Sequence, residues 1–159
     1  MRIAVCPGSF DPITLGHVDV VRRALTMFDE VIIGVAQNAS KNYRFSPSER
    51  LGLAESAVAD LPGARVMPID GLLVDFVKDV GASAIVKGLR GAADYDGEQS
   101  MALLNRHLSG IETVFVMGDP KLAHIASSLV KDVARHGGNI DDLVPAAVAA
   151  ALTGKETNV

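Results

Sequence analysis

The chain has 159 residues, 48% of them apolar and only 4% aromatic, with no tryptophan and a formal net charge of −4. That length suits one domain spanning the whole chain, with an aliphatic core, and the acidic balance argues against a nucleic-acid partner, because such domains carry a basic face. A single cysteine excludes an internal disulfide, and no apolar run reaches membrane-spanning length, so the expectation is a cytoplasmic protein without a membrane partner.

In chain order, Arg2–Cys6 reads as a buried strand, and Cys6 within it as a small buried hydrophobe rather than a nucleophile. His17–Phe28 reads as a helix, since Val18, Val21, Ala24, Leu25 and Phe28 recur at helical spacing. Val31–Ala36 is a second strand, rich in β-branched residues. Ser46-Pro47-Ser48-Glu49 is a capping box with proline at the first helical position, so a helix starts there and runs to about Leu61. Ala64–Pro68 is a third strand, Leu72–Val80 a short helix closed by Gly81, and Ala84–Val86 a fourth strand. A helix over Glu98–Leu108 precedes a fifth strand, Thr113–Met117. Ser127–His136 is a helix ended by Gly137-Gly138, Pro145–Leu152 is a last alanine-rich helix, and Thr153–Val159 is a polar, frayed tail. Strands and helices alternating at this spacing predict a Rossmann-like, doubly wound α/β fold: a five-stranded parallel sheet with helices on both faces. Ligands of such sheets bind beyond the carboxyl ends of the strands, near the topological switch point.

The motifs fall at those ends. Thr14-Leu15-Gly16-His17 opens the first helix, where free N–H groups and the helix dipole favour a phosphate. The approach, Pro7-Gly8-Ser9-Phe10-Asp11-Pro12, offers a glycine for close backbone approach and a serine hydroxyl. A plain strand-to-helix turn with a surface histidine fits the tetrapeptide alone equally well. Lys87-Gly88-Leu89-Arg90 puts two cations around a glycine at a strand end, Arg90 with a planar fork and Lys87 as a compact charge. Ser127-Ser128 starts a helix, as ordinary caps or as hydroxyls aimed at a triphosphate. Lys41 sits in the polar stretch Asn38–Phe45, with Arg44 as a second mobile cation. Neither a Ser-His-Asp pattern nor ligand spacing for a structural metal is visible.

Together, Pro7–His17, Lys87–Arg90 and Ser127–Lys131 resemble the nucleotidyltransferase superfamily with a (Thr or His)-x-Gly-His motif, and within it the phosphopantetheine adenylyltransferases. The resemblance covers nearly the whole chain. It implies transfer of the adenylyl group of ATP to 4′-phosphopantetheine, giving 3′-dephospho-coenzyme A and pyrophosphate. It implies His17, Lys41 and Arg90 as the catalytic set. ATP would meet Ser9, Phe10, His17, Gly88, Leu89, Arg90, Glu98 and the run Leu122, Ala123, His124, Ile125, Ala126, Ser127 and Ser128. The acceptor would meet Ser9, Lys41, Leu73 and Lys87. Mg²⁺ would be held by the nucleotide phosphates rather than by protein ligands. Homohexamers and feedback by coenzyme A are further implications. The chain departs from the superfamily pattern at Leu122–Ala126, which lacks the usual aromatics and a serine at 126, and at Asp96-Gly97, where no glycine is usual. A related adenylyl- or cytidylyltransferase with another phosphate acceptor, or a nucleotide-binding module without catalysis, are the alternatives.

Overall fold

Backbone pairing organises residues 1–38 and 40–156, which the computed structural model describes. The strands are β1 (Ile3–Gly8), β2 (Glu30–Ala36), β3 (Ala64–Ile69), β4 (Ala84–Leu89) and β5 (Glu112–Met117). The helices are α1 (Leu15–Ala24), α2 (Pro47–Ala57), α3 (Leu73–Asp79), α4 (Ala92–Ser109), α5 (Ser127–Arg135) and α6 (Ala146–Glu156). All five strands run parallel, in the order β3-β2-β1-β4-β5.

Alternation along the strands sends side chains to two cores. Ala4, Cys6, Val31, Ile33 and Val86 pack with buried residues of α1, α2, α5 and α6. Val5, Ile32 and Ile85 point the other way, against Val77 of α3. α4 packs beside α3 over β4 and β5. Among the described residues, no helix is long and apolar enough to cross a membrane.

Several boundaries differ from the sequence reading. β4 continues through Lys87, Gly88 and Leu89, because each pairs with β5 (Phe115, Val116 and Met117) although the apolar run ends at Val86. β1 likewise reaches Gly8 by pairing with Val35. α1 stops at Ala24 and α2 at Ala57, each short of the expected end. α4 begins at Ala92, well before Glu98; the alanine pair and Asp94 favour its first turn, and Gly97 sits mid-helix in open space. The last helix extends to Glu156 rather than fraying from Thr153; 157–159 lie outside the described residues, as does Ala39.

The order reverses between β1 and β4, and there the pairing is brief: only Ala4 with Ala84 and Val5 with Ile85 are in register. Beyond them the two strands separate. The crevice between Cys6–Gly8 and Lys87–Leu89 is the switch-point opening, and the N-terminus of α1 stands over it.

Candidate active site

That crevice is a cavity of about 300 Å³. Its walls come from the ends of β1 and β4, the start of α1, the first turns of α4, and the segment from Gly118 to Ser127. Gly88 has a structural reason: a Cβ there would lie 2.5 Å from Val20 Cγ2, so its absence lets α1 lie close against β4.

His17 is the third residue of α1 and closes a reciprocal capping box with Thr14. The Thr14 N–H donates to His17 Nδ1 at 3.0 Å, and the Thr14 hydroxyl accepts from the His17 N–H at 3.4 Å. A backbone N–H can only donate, so Nδ1 carries no proton and the ring hydrogen resides on Nε2. Loss of hydration, and then the charges of Arg90 and Lys87, push the imidazole down to about 4. At neutral pH it is an uncharged N–H donor in a cavity that it shares with Lys87 and Arg90. Phe10, at φ 48°, meets the ring edge-on with centroids 5.0 Å apart.

The cations are held by carboxylates. Asp94 takes the Arg90 guanidinium through both oxygens, at 3.1 and 3.2 Å, and the Arg90 N–H at 2.9 Å. Arg90 also donates to the Ile125 carbonyl at 3.0 Å, which ties β4 to the Gly118–Ser127 wall. Partial burial alone would raise the Asp94 carboxyl; the Arg90 hydrogen bonds and charge outweigh that and hold it below the usual range. Lys87 pairs with Glu98 at 3.2 Å. Burial pushes the Cys6 thiol up to about 11, against the opposing charge of Lys87, so it stays protonated and inert.

Comparison with known proteins gives this constellation its family. The sequence matches the cytidylyltransferase-like family over residues 5–133. It is 50% identical over 155 residues to the phosphopantetheine adenylyltransferase of Micrococcus luteus, covering 97% of this chain and 99% of the relative. It is 52% identical over 148 residues to the enzyme of that name from a Nocardioides species, covering 93% of each. The chain belongs to the phosphopantetheine adenylyltransferase family. Its fold also matches a bifunctional NMN adenylyltransferase/ADP ribose pyrophosphatase from Francisella tularensis, at a TM-score of 0.73 and 16% identity, over 99% of this chain and 49% of that one.

Of the residues singled out in sequence, Phe10, His17, Lys87, Gly88, Leu89, Arg90, Glu98, Leu122, Ile125, Ala126 and Ser127 line the one cavity. Six do not. Lys41 is exposed on the β2–α2 connection, while Arg44 is tethered by its N–H to Asp11 Oδ2 at 2.8 Å. Ser9 lies just past β1, next to Phe10 but off the cavity wall. Ala123, His124 and Ser128 are not part of its lining, and His124 and Ser128 are exposed. Leu73, the first residue of α3, lines a smaller adjoining cleft with Pro7, Lys87, Glu98 and Asn105. Lys87 and Glu98 therefore stand between the two spaces. Two readings change. Ser127 is not a cap: Ala126 occupies that position, and the Ser127 hydroxyl donates to the Pro12 carbonyl at 2.9 Å. Glu98 is not in the first turn of its helix, so the helix dipole does not explain it; its ion pair with Lys87 does.

The sequence reading missed Asp19. It lines the cavity two residues after His17, and its carboxylate accepts the Asp119 N–H and the Arg23 guanidinium, at 2.9 and 3.0 Å. The local signal was Asp19 and Arg23 four apart on one helix; the contact across to Asp119 had none.

Proposed function

We propose that this chain transfers the adenylyl group of ATP to 4′-phosphopantetheine, releasing pyrophosphate and forming 3′-dephospho-coenzyme A. The observation that carries the reading is a neutral histidine donor at a helix N-terminus, sharing one cleft with Lys87 and Arg90. The acceptor phosphate, with a second pKa near 6, is largely dianionic at neutral pH and needs no strong base. It attacks the α-phosphorus of ATP in line, and pyrophosphate leaves. The protein aligns two polyanions and stabilises charge on the α-phosphoryl oxygens. His17 donates through Nε2 to that group, Arg90 grips ATP phosphates, and Lys87 with Lys41 receives the acceptor phosphate. Lys41 must swing in from its exposed position when substrate binds. Leu73 and the adjoining cleft suit the acceptor's arm, which would run past Lys87.

Asp19, Asp94 and Glu98 on the cavity wall are already engaged by Arg23, Arg90 and Lys87. Among the described residues no group of three or more metal-ligating side chains gathers. These observations support Mg²⁺ entering on the nucleotide, where it neutralises phosphate charge. Location in the cytoplasm and assembly as a homohexamer complete the proposal, the latter supported by half-exposed apolar side chains along α4. The test is incubation of the purified protein with ATP, Mg²⁺ and 4′-phosphopantetheine. Dephospho-coenzyme A and stoichiometric pyrophosphate are expected. Nucleotide binding without pyrophosphate release would leave only a binding module, and turnover with a different phosphorylated acceptor alone would move the chain to a sister activity.

A further inference from the structure

Arg50 is completely buried, at 0% exposure, yet among the described residues no carboxylate forms a salt bridge with it. A guanidinium is a cation, and burying an ion without a counter-charge is costly. Nη1 donates to two main-chain carbonyls, Ser9 and Ala36, each at 2.8 Å. The guanidinium plane lies over the Tyr43 ring, 3.9 Å from its centroid. Nε and Nη2, and the Tyr43 hydroxyl, have no hydrogen-bond partner among the described residues. So costly an arrangement is not explained by α2, whose N-terminus is already secured by the Ser46–Glu49 capping box.

The atoms it joins share a place. Ser9 and Ala36 lie at the carboxyl ends of adjacent strands, and Tyr43 lies two residues beyond Lys41. One guanidinium thus ties the β1–α1 connection to the β2–α2 connection through Nη1 and packs on Tyr43 in the Lys41 segment. The ATP-side walls, β4 and Gly118–Ser127, make no hydrogen bond to it. We propose that Arg50 is a positioning residue for the acceptor half of the site: by bridging Ser9 and Ala36 and stacking on Tyr43, it presents Lys41 to the acceptor phosphate. This rests on the adenylyl-transfer reading above.

Arg50→Lys keeps the charge and a donor for the carbonyls, but an ammonium has no planar face to lie on the Tyr43 ring. It is expected to raise the KM for 4′-phosphopantetheine about tenfold while the KM for ATP changes less than about twofold. A merely structural role would lower Tm without separating the two constants. Arg50→Met is expected to speed tryptic cleavage after Lys41 or Arg44, identified by mass, at a temperature where both proteins are folded. Should the Arg50 variants not fold, Tyr43→Leu retains both carbonyl bonds and is expected to shift the acceptor KM in the same direction by less. An unchanged acceptor KM in an active variant, equal effects on both substrates, or unaltered cleavage would overturn the inference. Wild-type protein that makes no dephospho-coenzyme A would overturn the adenylyl-transfer reading instead, and the cleavage comparison would still decide the role of Arg50.

Discussion

The state of one imidazole sets the chemistry at the residue scale. With Nδ1 accepting a backbone N–H and the ring held neutral, His17 is a hydrogen-bond donor and not a proton carrier. His17→Ala is expected to lower turnover roughly 10²–10³-fold, as for other preorganised donors, with little change in fold; steady-state rates and circular dichroism check this. The acid side of the rate profile then follows the acceptor phosphate, near 6, not histidine. The same shift has a stability consequence. The unfolded chain takes up the His17 proton near 6.5, the folded chain only near 4, so acid favours unfolding. Stability from this group is complete above about 6.5 and is lost as pH falls towards 4, by at most about 3 kcal/mol. NMR titration showing His17 protonating above 6 would refute both arguments. His17 was legible because its partner, Thr14, is three residues away and the spacing is that of a capping box. The hydrogen bond of Ser127 was not legible for the opposite reason: its hydroxyl donates to Pro12, 115 positions distant, and no local pattern reports such a bond.

Elements position these groups through backbone approach. α1 reaches β4 because residue 88 has no side chain, and the cavity wall is the result. Gly88→Ala would drive a Cβ to 2.5 Å from a methyl of Val20, a β-branched side chain with little rotamer freedom. The helix must move, at a cost of about 1–3 kcal/mol, carrying Thr14 and His17 with it. Chemical denaturation is expected to show that loss, and kinetics a raised KM for ATP; a variant as stable and active as the parent would mean that α1 tolerates displacement. Alternating apolar runs and helical periods revealed the parallel sheet, its two helix layers and the switch-point rule. They did not reveal where strands end. Lys87 and Gly88 break the apolar run of β4, but main-chain pairing with Phe115 and Val116 is indifferent to side chains and carries the strand onward. Lys87 thus sits on the sheet rather than on a loop, while Arg90, one residue past the strand, is held by Asp94 and the Ile125 carbonyl.

For the whole molecule, charge and apolar surface pull towards different partners. A chain of net charge −4 places Lys87 and Arg90 in one cleft, each beside a carboxylate, so a polyanion that binds there must compete with Glu98 and Asp94 for them. ATP with Mg²⁺ is expected to raise Tm, increasingly with concentration, and less in Arg90→Ala; thermal melts measure it. The apolar surface is where the proposed homohexamer would form its contacts. Met101, Leu104 and Leu108 recur at helical spacing along α4 and remain about half exposed, at 53%, 49% and 50%. Met117, at the end of the edge strand β5, is exposed at 59%. The sequence reading placed a helix over Glu98–Leu108 but not which face meets the sheet, because leucines occur on more than one side. An unpartnered apolar stripe in a protein of this size is a surface to be covered, and in a homohexamer other protomers would cover it. The wild-type chain is then expected in light scattering at six times its 16.7 kDa mass. Leu104→Glu places a charge within the stripe that burial would leave unpaired, so it is expected to shift the protein to smaller species with its secondary structure intact. A monomeric wild type would refute the assembly, and a Leu104→Glu protein of undiminished mass would exclude this face of α4 from its contacts.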